Sequence, residues 1–176
     1  MRIIKKSKEI NSVFNSIKKT GFVPTMGSLH KGHEYLIKKS VKQNHVTFVS
    51  IFLNPKQFNN KKDLKSYPRN IKKDLQILKK SKKVDFVYLP KFNDIYEDNK
   101  KSKITINKKD KILCAKIRKG HFEGVLDVMN RLTKIINPDK IFMGEKDFQQ
   151  LYLVKNFLKK KHKTKIISCR TIRDKN

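Results

Sequence analysis

The run VTFVSIFL, residues 46–53, is almost unbroken in β-branched and aromatic side chains. A strand with one wet face alternates apolar and polar residues. A strand apolar on both faces is covered on both sides, which calls for helices above and below a parallel sheet. The rest of the chain supplies them. Strand patterns at 22–25, 46–53, 84–89, 140–143 and 165–169 alternate with helical patterns at 7–19, 31–44, 70–80, 122–136 and 148–160, and a further short strand is expected at 104–106. In the first helix Ile10, Val13, Phe14 and Ile17 share one face beneath a lysine exterior. Pro90 stops one strand, and Asn137 followed by Pro138 stops the longest helix. The expected fold is α/β, a doubly wound parallel sheet flanked by helices. At 176 residues, with no internal repeat and no Gly/Ser/Pro linker, one domain over 1–176 is expected, burying roughly 70% of its unfolded-chain surface.

A net charge of +29 and a pI near 10.2 would, taken alone, point to nucleic acid or an anionic membrane surface. The charge is almost wholly lysine, spread from Lys5 to Lys175, with arginine at Arg2, Arg69, Arg118, Arg131, Arg170 and Arg173. Base readers and phosphate clamps use the planar arginine fork, clustered and interleaved with aromatic rings. A chain rich in Lys, Asn and Ile reads instead as a compositional bias on tolerant surface positions, with weak RNA binding or attraction of anionic substrates as the alternative. Nucleic acid is therefore not the expected partner. Cys114 and Cys169 have no metal or redox spacing and read as free thiols in a reducing compartment, the cytoplasm. The N-terminus is too charged for a signal peptide. No stretch approaches the ~18 apolar residues of a membrane span, so a soluble protein is expected.

Doubly wound sheets bind ligands at the carboxyl ends of their strands, and three polar segments bearing Gly or Pro fall there. TMGSLHKGH follows the first strand, NPKQF the second and GEKDFQQ the strand ending at Met143. In the first, a strand that turns through glycine into a helix presents amides to an anion, with His30 and His33 on one face of the opening turn. Two imidazoles at a helix N-terminus suit a phosphoryl group on which charge develops; the bland alternative is a capped turn and a surface residue. In the second, Asn54 and Gln57 are amides suited to hydroxyls and carboxylates, or a turn cap. In the third, Lys146 suits a polyphosphate, Asp147 caps the next helix or reaches a ribose or a cation, and Gln149 and Gln150 stand on that helix's first turn. A P-loop, a dinucleotide fingerprint, a nucleophile elbow and zinc spacing are all missing from the sequence. A nucleotide held through H-x-G-H, reacting at its α-phosphate, is the enzyme reading that remains.

VPTMGSLHKGHEYLI, VSIFLNPKQF, DLKSYPRNIKKDL, KGHFEGV and INPDKIFMGEKDFQQL, collinear from about Ile3 to Asp174, together resemble the pantothenate synthetase (pantoate–β-alanine ligase) family of the HIGH-type nucleotidylyl transferase superfamily. The resemblance implies a Rossmann-like domain that uses ATP and Mg2+ to adenylate (R)-pantoate, releasing pyrophosphate, after which the β-alanine amine attacks the adenylate to give pantothenate and AMP. By the same resemblance the ATP loop comprises Met26, Gly27, Ser28, Leu29, His30, Lys31, Gly32 and His33, with His30 and His33 at the reacting phosphate and His33 the proton donor. A second nucleotide loop comprises Gly144, Glu145, Lys146 and Asp147, with Lys146 facing phosphates and Asp147 the ribose. Ile172 meets adenine through its backbone, Gln57 and Gln150 hold pantoate beside Met26, with Gln57 also toward β-alanine, and Asp74 lies near the magnesium. A homodimer is implied as well. Beyond TIRDKN the family continues into a Gly-Leu-x-x-Ser-Ser-Arg loop and a smaller lid domain. An N-terminal portion that binds ATP weakly and turns over little is therefore expected.

Overall fold

The computed structural model describes residues 1–14, 19–81, 83–96 and 104–173. In chain order the elements are β1 (Arg2–Ile4), α1 (Ser7–Phe14), β2 (Thr20–Thr25), α2 (Lys31–Gln43), β3 (Val46–Ile51), α3 (Lys61–Ser66), α4 (Ile71–Lys80), β4 (Phe86–Tyr88), α5 (Phe92–Ile95), α6 (Cys114–Ile117), α7 (His121–Ile136), β5 (Lys140–Gly144), α8 (Phe148–Lys159) and β6 (Lys165–Cys169). The six strands form one parallel sheet in the order β1-β4-β3-β2-β5-β6.

Successive side chains alternate between the two faces, as the pleat requires. Phe22, Phe48 and Ile141 enter a core closed by α7 and α8, while Val23, Val49 and Phe142 enter a second core closed by α2 and α4. Covering both faces explains why β3 shows no alternation of wet and dry residues, its Thr47 and Ser50 being buried with the rest, and each fully buried Val, Ile or Phe contributes roughly 1.5–3 kcal/mol. Carboxylates take up donors at the strand starts. Asp139 Oδ2 accepts from Thr20 N at 2.7 Å and Asp85 Oδ2 from Thr47 N at 2.8 Å.

Strand order reverses at β2, whose neighbours are β3 on one side and β5 on the other. β2 pairs with β3 over all six residues but with β5 only at Gly21 and Phe22. Pro24, which has no N–H to give a neighbour, lies beyond that short pairing. The two strand ends therefore part, and the crevice between them is the switch point of the sheet.

Several sequence expectations change. The helix expected over 7–19 is described to Phe14; residues 15–18, with Ile17, lie outside the described residues, and Lys19 has a left-handed φ of 60°. Residues 104–106 form no strand, because buried Ile106 and half-buried Ile104 pack into the core on the α7 face instead of joining a ladder. β1 was not legible in the sequence; its three residues extend the sheet by pairing with β4. Asn137 does end α7, in left-handed backbone (φ 45°), with its N–H donating to Thr133 O at 2.8 Å.

Candidate functional site

The loop after β2 is shaped from within. Thr25 Oγ1 donates to Ser50 O at 2.7 Å and accepts from Gly27 N at 3.2 Å. Gly27 (φ 89°) and Ser28 (φ 55°) are both left-handed, which costs a non-glycine residue about 1–2 kcal/mol. The offset comes from Asp74 on α4, whose Oδ2 accepts from Ser28 N at 2.9 Å and whose Oδ1 accepts from Leu29 N at 2.8 Å. A hydrogen bond to a charged group is worth about 1.5–3 kcal/mol. His30 then caps α2, its Nδ1 accepting from Gly32 N at 3.0 Å, so in the neutral ring Nε2 carries the hydrogen. The amides expected to cradle an anion are thus largely taken, and imidazoles front the crevice in their place.

His33 lies 4.2 Å from His30, centroid to centroid. Burial first, and the His30 and Lys146 charges after it, lower its pKa to about 4, with Asp74 pulling the other way. It is therefore a neutral imidazole near pH 7, and its buried Nδ1 has no hydrogen-bond partner among the described residues.

The segment after β3 is seated on the start of α7. Asn54 accepts from Lys56 N at 3.2 Å and from the Tyr96 hydroxyl at 3.0 Å, and donates to Gly124 O at 3.1 Å. It is the turn cap and not a free ligand amide. His121 donates from Nδ1 to Gln57 O at 2.7 Å; burial lowers its pKa while that carbonyl pulls it back up. Gly124 permits the approach, since a Cβ there would meet Lys56 O at 2.3 Å. So held, Gln57 points its amide at Met26, Nε2 lying 2.9 Å from Sδ.

β5 ends at Gly144, and a 3₁₀ turn, Glu145–Asp147, follows. Glu145 accepts from the Ser168 hydroxyl. Asp147 occupies the N-cap position of α8 without making a capping hydrogen bond. Gln149 donates to the carbonyls of Asp110 and Ile112 and so turns away, while Gln150 faces inward.

These elements enclose a cavity of about 300 Å³ at the switch point. Met26, His30, Gly32, His33, Gln57, Gly144, Lys146, Asp147, Gln150 and Ile172, all expected from the sequence, line it. Gly27, Ser28, Leu29, Lys31, Glu145 and Asp74 do not line it. Sequence reasoning missed Tyr67, whose pKa is raised by burial and by Asp147 and Asp74, and also Arg170 and Thr171. Those two follow β6, so the strand-end rule applied once more would have found them. It also missed the apolar wall of Val125, Val128, Met129 and Leu132, whose helical spacing reads as core.

The residues do not fit a protein-built magnesium site. Asp74 is 2% exposed with an amide on each oxygen, and no group of three His, Cys, Asp or Glu among the described residues could hold a metal. Magnesium takes one or two carboxylates together with substrate phosphates, and the carboxylate that lines the cavity is Asp147, not Asp74.

An all-parallel sheet with imidazoles, a lysine and amides gathered at its switch point defines a Rossmann-like α/β domain with a polar crevice at its strand ends. The chain belongs to the pantoate-beta-alanine ligase family, whose model matches residues 2–176. It is 47% identical to a pantothenate synthetase of Francisella philomiragia over 91% of this chain and 62% of that protein. It is 38% identical to one of Caldicellulosiruptor saccharolyticus over 100% and 64%. The crystal structure of a Francisella tularensis pantoate-beta-alanine ligase, complexed with beta-gamma ATP and beta-alanine, superposes with a TM-score of 0.94 at 44% identity, covering 99% of this chain and 68% of that one. The pantothenate synthetase of Thermus thermophilus superposes with a TM-score of 0.92 at 30% identity, covering 99% of this chain and 63% of that one. The chain thus spans less than two thirds of the length of each of these two curated relatives. Among the described residues no helix is long and apolar enough to cross a membrane.

Proposed function

We propose that residues 1–176 form the ATP- and pantoate-binding domain of a pantoate–β-alanine ligase that works through a pantoyl adenylate. The carrying observation is that His30, His33, Gln57, Lys146 and Gln150, from three strand ends, meet around one cavity in a chain of this family. The pantoate carboxylate attacks the α-phosphorus of ATP, forming a C–O–P bond as the bond to the β-phosphate oxygen breaks and pyrophosphate departs. The β-alanine amine then attacks the activated carbonyl, loses a proton and expels AMP.

Each group has a task that its surroundings suit. His30 offers an Nε2–H to a phosphate oxygen. His33 enters neutral, and polyphosphate charge beside it favours the imidazolium, the direction a proton donor needs. Lys146 balances charge on the departing pyrophosphate. The amides of Gln57 and Gln150 match the carboxylate and hydroxyls of pantoate, and the Val125, Val128 and Met129 wall matches its geminal methyls. Asp147 and the Ile172 backbone are assigned to the ribose and adenine. Magnesium, where the reaction uses it, would come bound to the phosphates of ATP. A homodimer and a cytoplasmic location, consistent with the free Cys114 and Cys169, complete the reading.

The test is pantoate-dependent exchange of pyrophosphate into ATP, measured together with ATP binding. Saturable ATP binding and exchange are expected, with exchange falling ~10²–10³-fold in His33→Ala and the far-UV spectrum unchanged. Exchange that is unaffected by His33→Ala, or ATP titrations that never saturate, would overturn it.

A further inference from the structure

Gly27 and Ser28 are consecutive left-handed residues, and the turn aims the Ser28 and Leu29 amides at one partner, an anion of the chain itself. Asp74, at the first turn of α4, puts one carboxylate oxygen on each of the Ser28 and Leu29 amides, at 2.9 and 2.8 Å, from 46 and 45 residues away. The fit is close enough that a Cβ on Gly27 would stand 2.9 Å from Asp74 Oδ2. Leu29 and Leu78 of α4 share one core cluster on the same side of the sheet, so apolar packing and the carboxylate draw the loop to the same helix.

We propose that Asp74 is the loop's built-in anion. It is a positioning residue that holds the 26–30 loop in its binding shape through the Ser28 and Leu29 amides, and it is not a magnesium ligand. Those amides are withheld from the nucleotide, whose phosphates meet the side chains of His30 and His33 and not the loop backbone. The loop is formed before any ligand arrives. Lys73, exposed beside it on α4, has no part in this.

The consequence for nucleotide binding rests on the ATP reading above; the consequence for the loop does not. Amide hydrogen exchange at Ser28 and Leu29 is therefore read first, on the unaltered chain without nucleotide and with EDTA present. Both amides are expected to be protected, and adding ATP in EDTA should change their protection less than about twofold, because their partner is already in place. A rise of about tenfold or more would mean that phosphate takes these amides, and would overturn the proposal. In Asp74→Asn, which turns an NH2 or a weaker oxygen toward each amide, exchange should quicken about tenfold or more. ATP affinity should weaken by the same factor in EDTA and in magnesium alike. Unchanged exchange, with a magnesium requirement raised in the variant alone, would assign Asp74 to the metal. Should Asp74→Asn fail to fold, the measurements on the unaltered chain decide by themselves.

Discussion

After β2 the chain passes through two left-handed residues and gives the next amides to a buried carboxylate. From the end of β5 at Gly144 (φ −79°) it leaves through a 3₁₀ turn whose three residues have no buried member. A Cβ on Gly27 would strike Asp74, whereas one on Gly144 would meet nothing within 4 Å. The first loop is thus set in advance, so under the proposed adenylyl transfer its imidazoles would need no reorganisation as charge develops on the phosphate. The second offers Lys146 on a long, exposed stem, whose ordering costs up to ~2 kcal/mol of rotamer entropy at the moment of binding. One side of the crevice supplies geometry and the other supplies charge.

The largest separation between the two should come from Lys146→Ala. Adenylyl transfer is expected to fall ~10²–10³-fold, about 3–4 kcal/mol of barrier, while the urea midpoint stays within ~0.5 kcal/mol of the parent. A variant that lost stability in step with rate would show the β5 loop to be structural too. Gly27→Ala should do the reverse. It should lose about 2 kcal/mol of stability, read as a melting temperature lower by ~4–8 °C, and a melt matching the parent's would break the contrast.

The pH dependence of stability carries the next effect. His33 has a folded pKa of about 4 against 6.5 when unfolded, so between those values the unfolded chain binds a proton that the folded chain refuses. Stability should therefore fall as pH drops from about 6.5 to 4, with this contribution flat on either side. His121 and His162, also lowered chiefly by burial, act in the same sense. Urea midpoints across that range should show a shallower slope in His33→Gln; an equal slope would remove His33 from the account. The smallest effect belongs to Gly144→Ala, expected within ~0.5 kcal/mol of the parent in stability. A larger loss would mean the β5 loop is as constrained as its neighbour.

Most of the strand and helix pattern was legible in the residues. The 46–53 run could be read because burial on two faces leaves no polar alternation, and the end of α7 because Asn followed by Pro is a local stop signal. β1 was not, since three residues beside lysines become a strand only by pairing with β4. Residues 104–106 misled in the opposite sense, as apolar side chains wanted by a core resemble those wanted by a sheet. In the site, histidine, lysine and glutamine at strand ends announced themselves by residue type and position. Val125, Val128, Met129 and Leu132 did not, because one helical face serves both the core and the cavity wall.

By itself the sequence determined the alternation of strands and helices, the parallel sheet and the three loops that meet at its switch point, because periodicity, capping and turn chemistry act over a few neighbouring residues. Tertiary structure alone decided that Asp74 serves the loop after β2, that His121 and Gly124 seat Gln57, that Asn54 is a cap, and that His33 is neutral. A buried polar group takes whichever partner the packed elements bring within about 3 Å, and that choice is made between segments far apart in the chain.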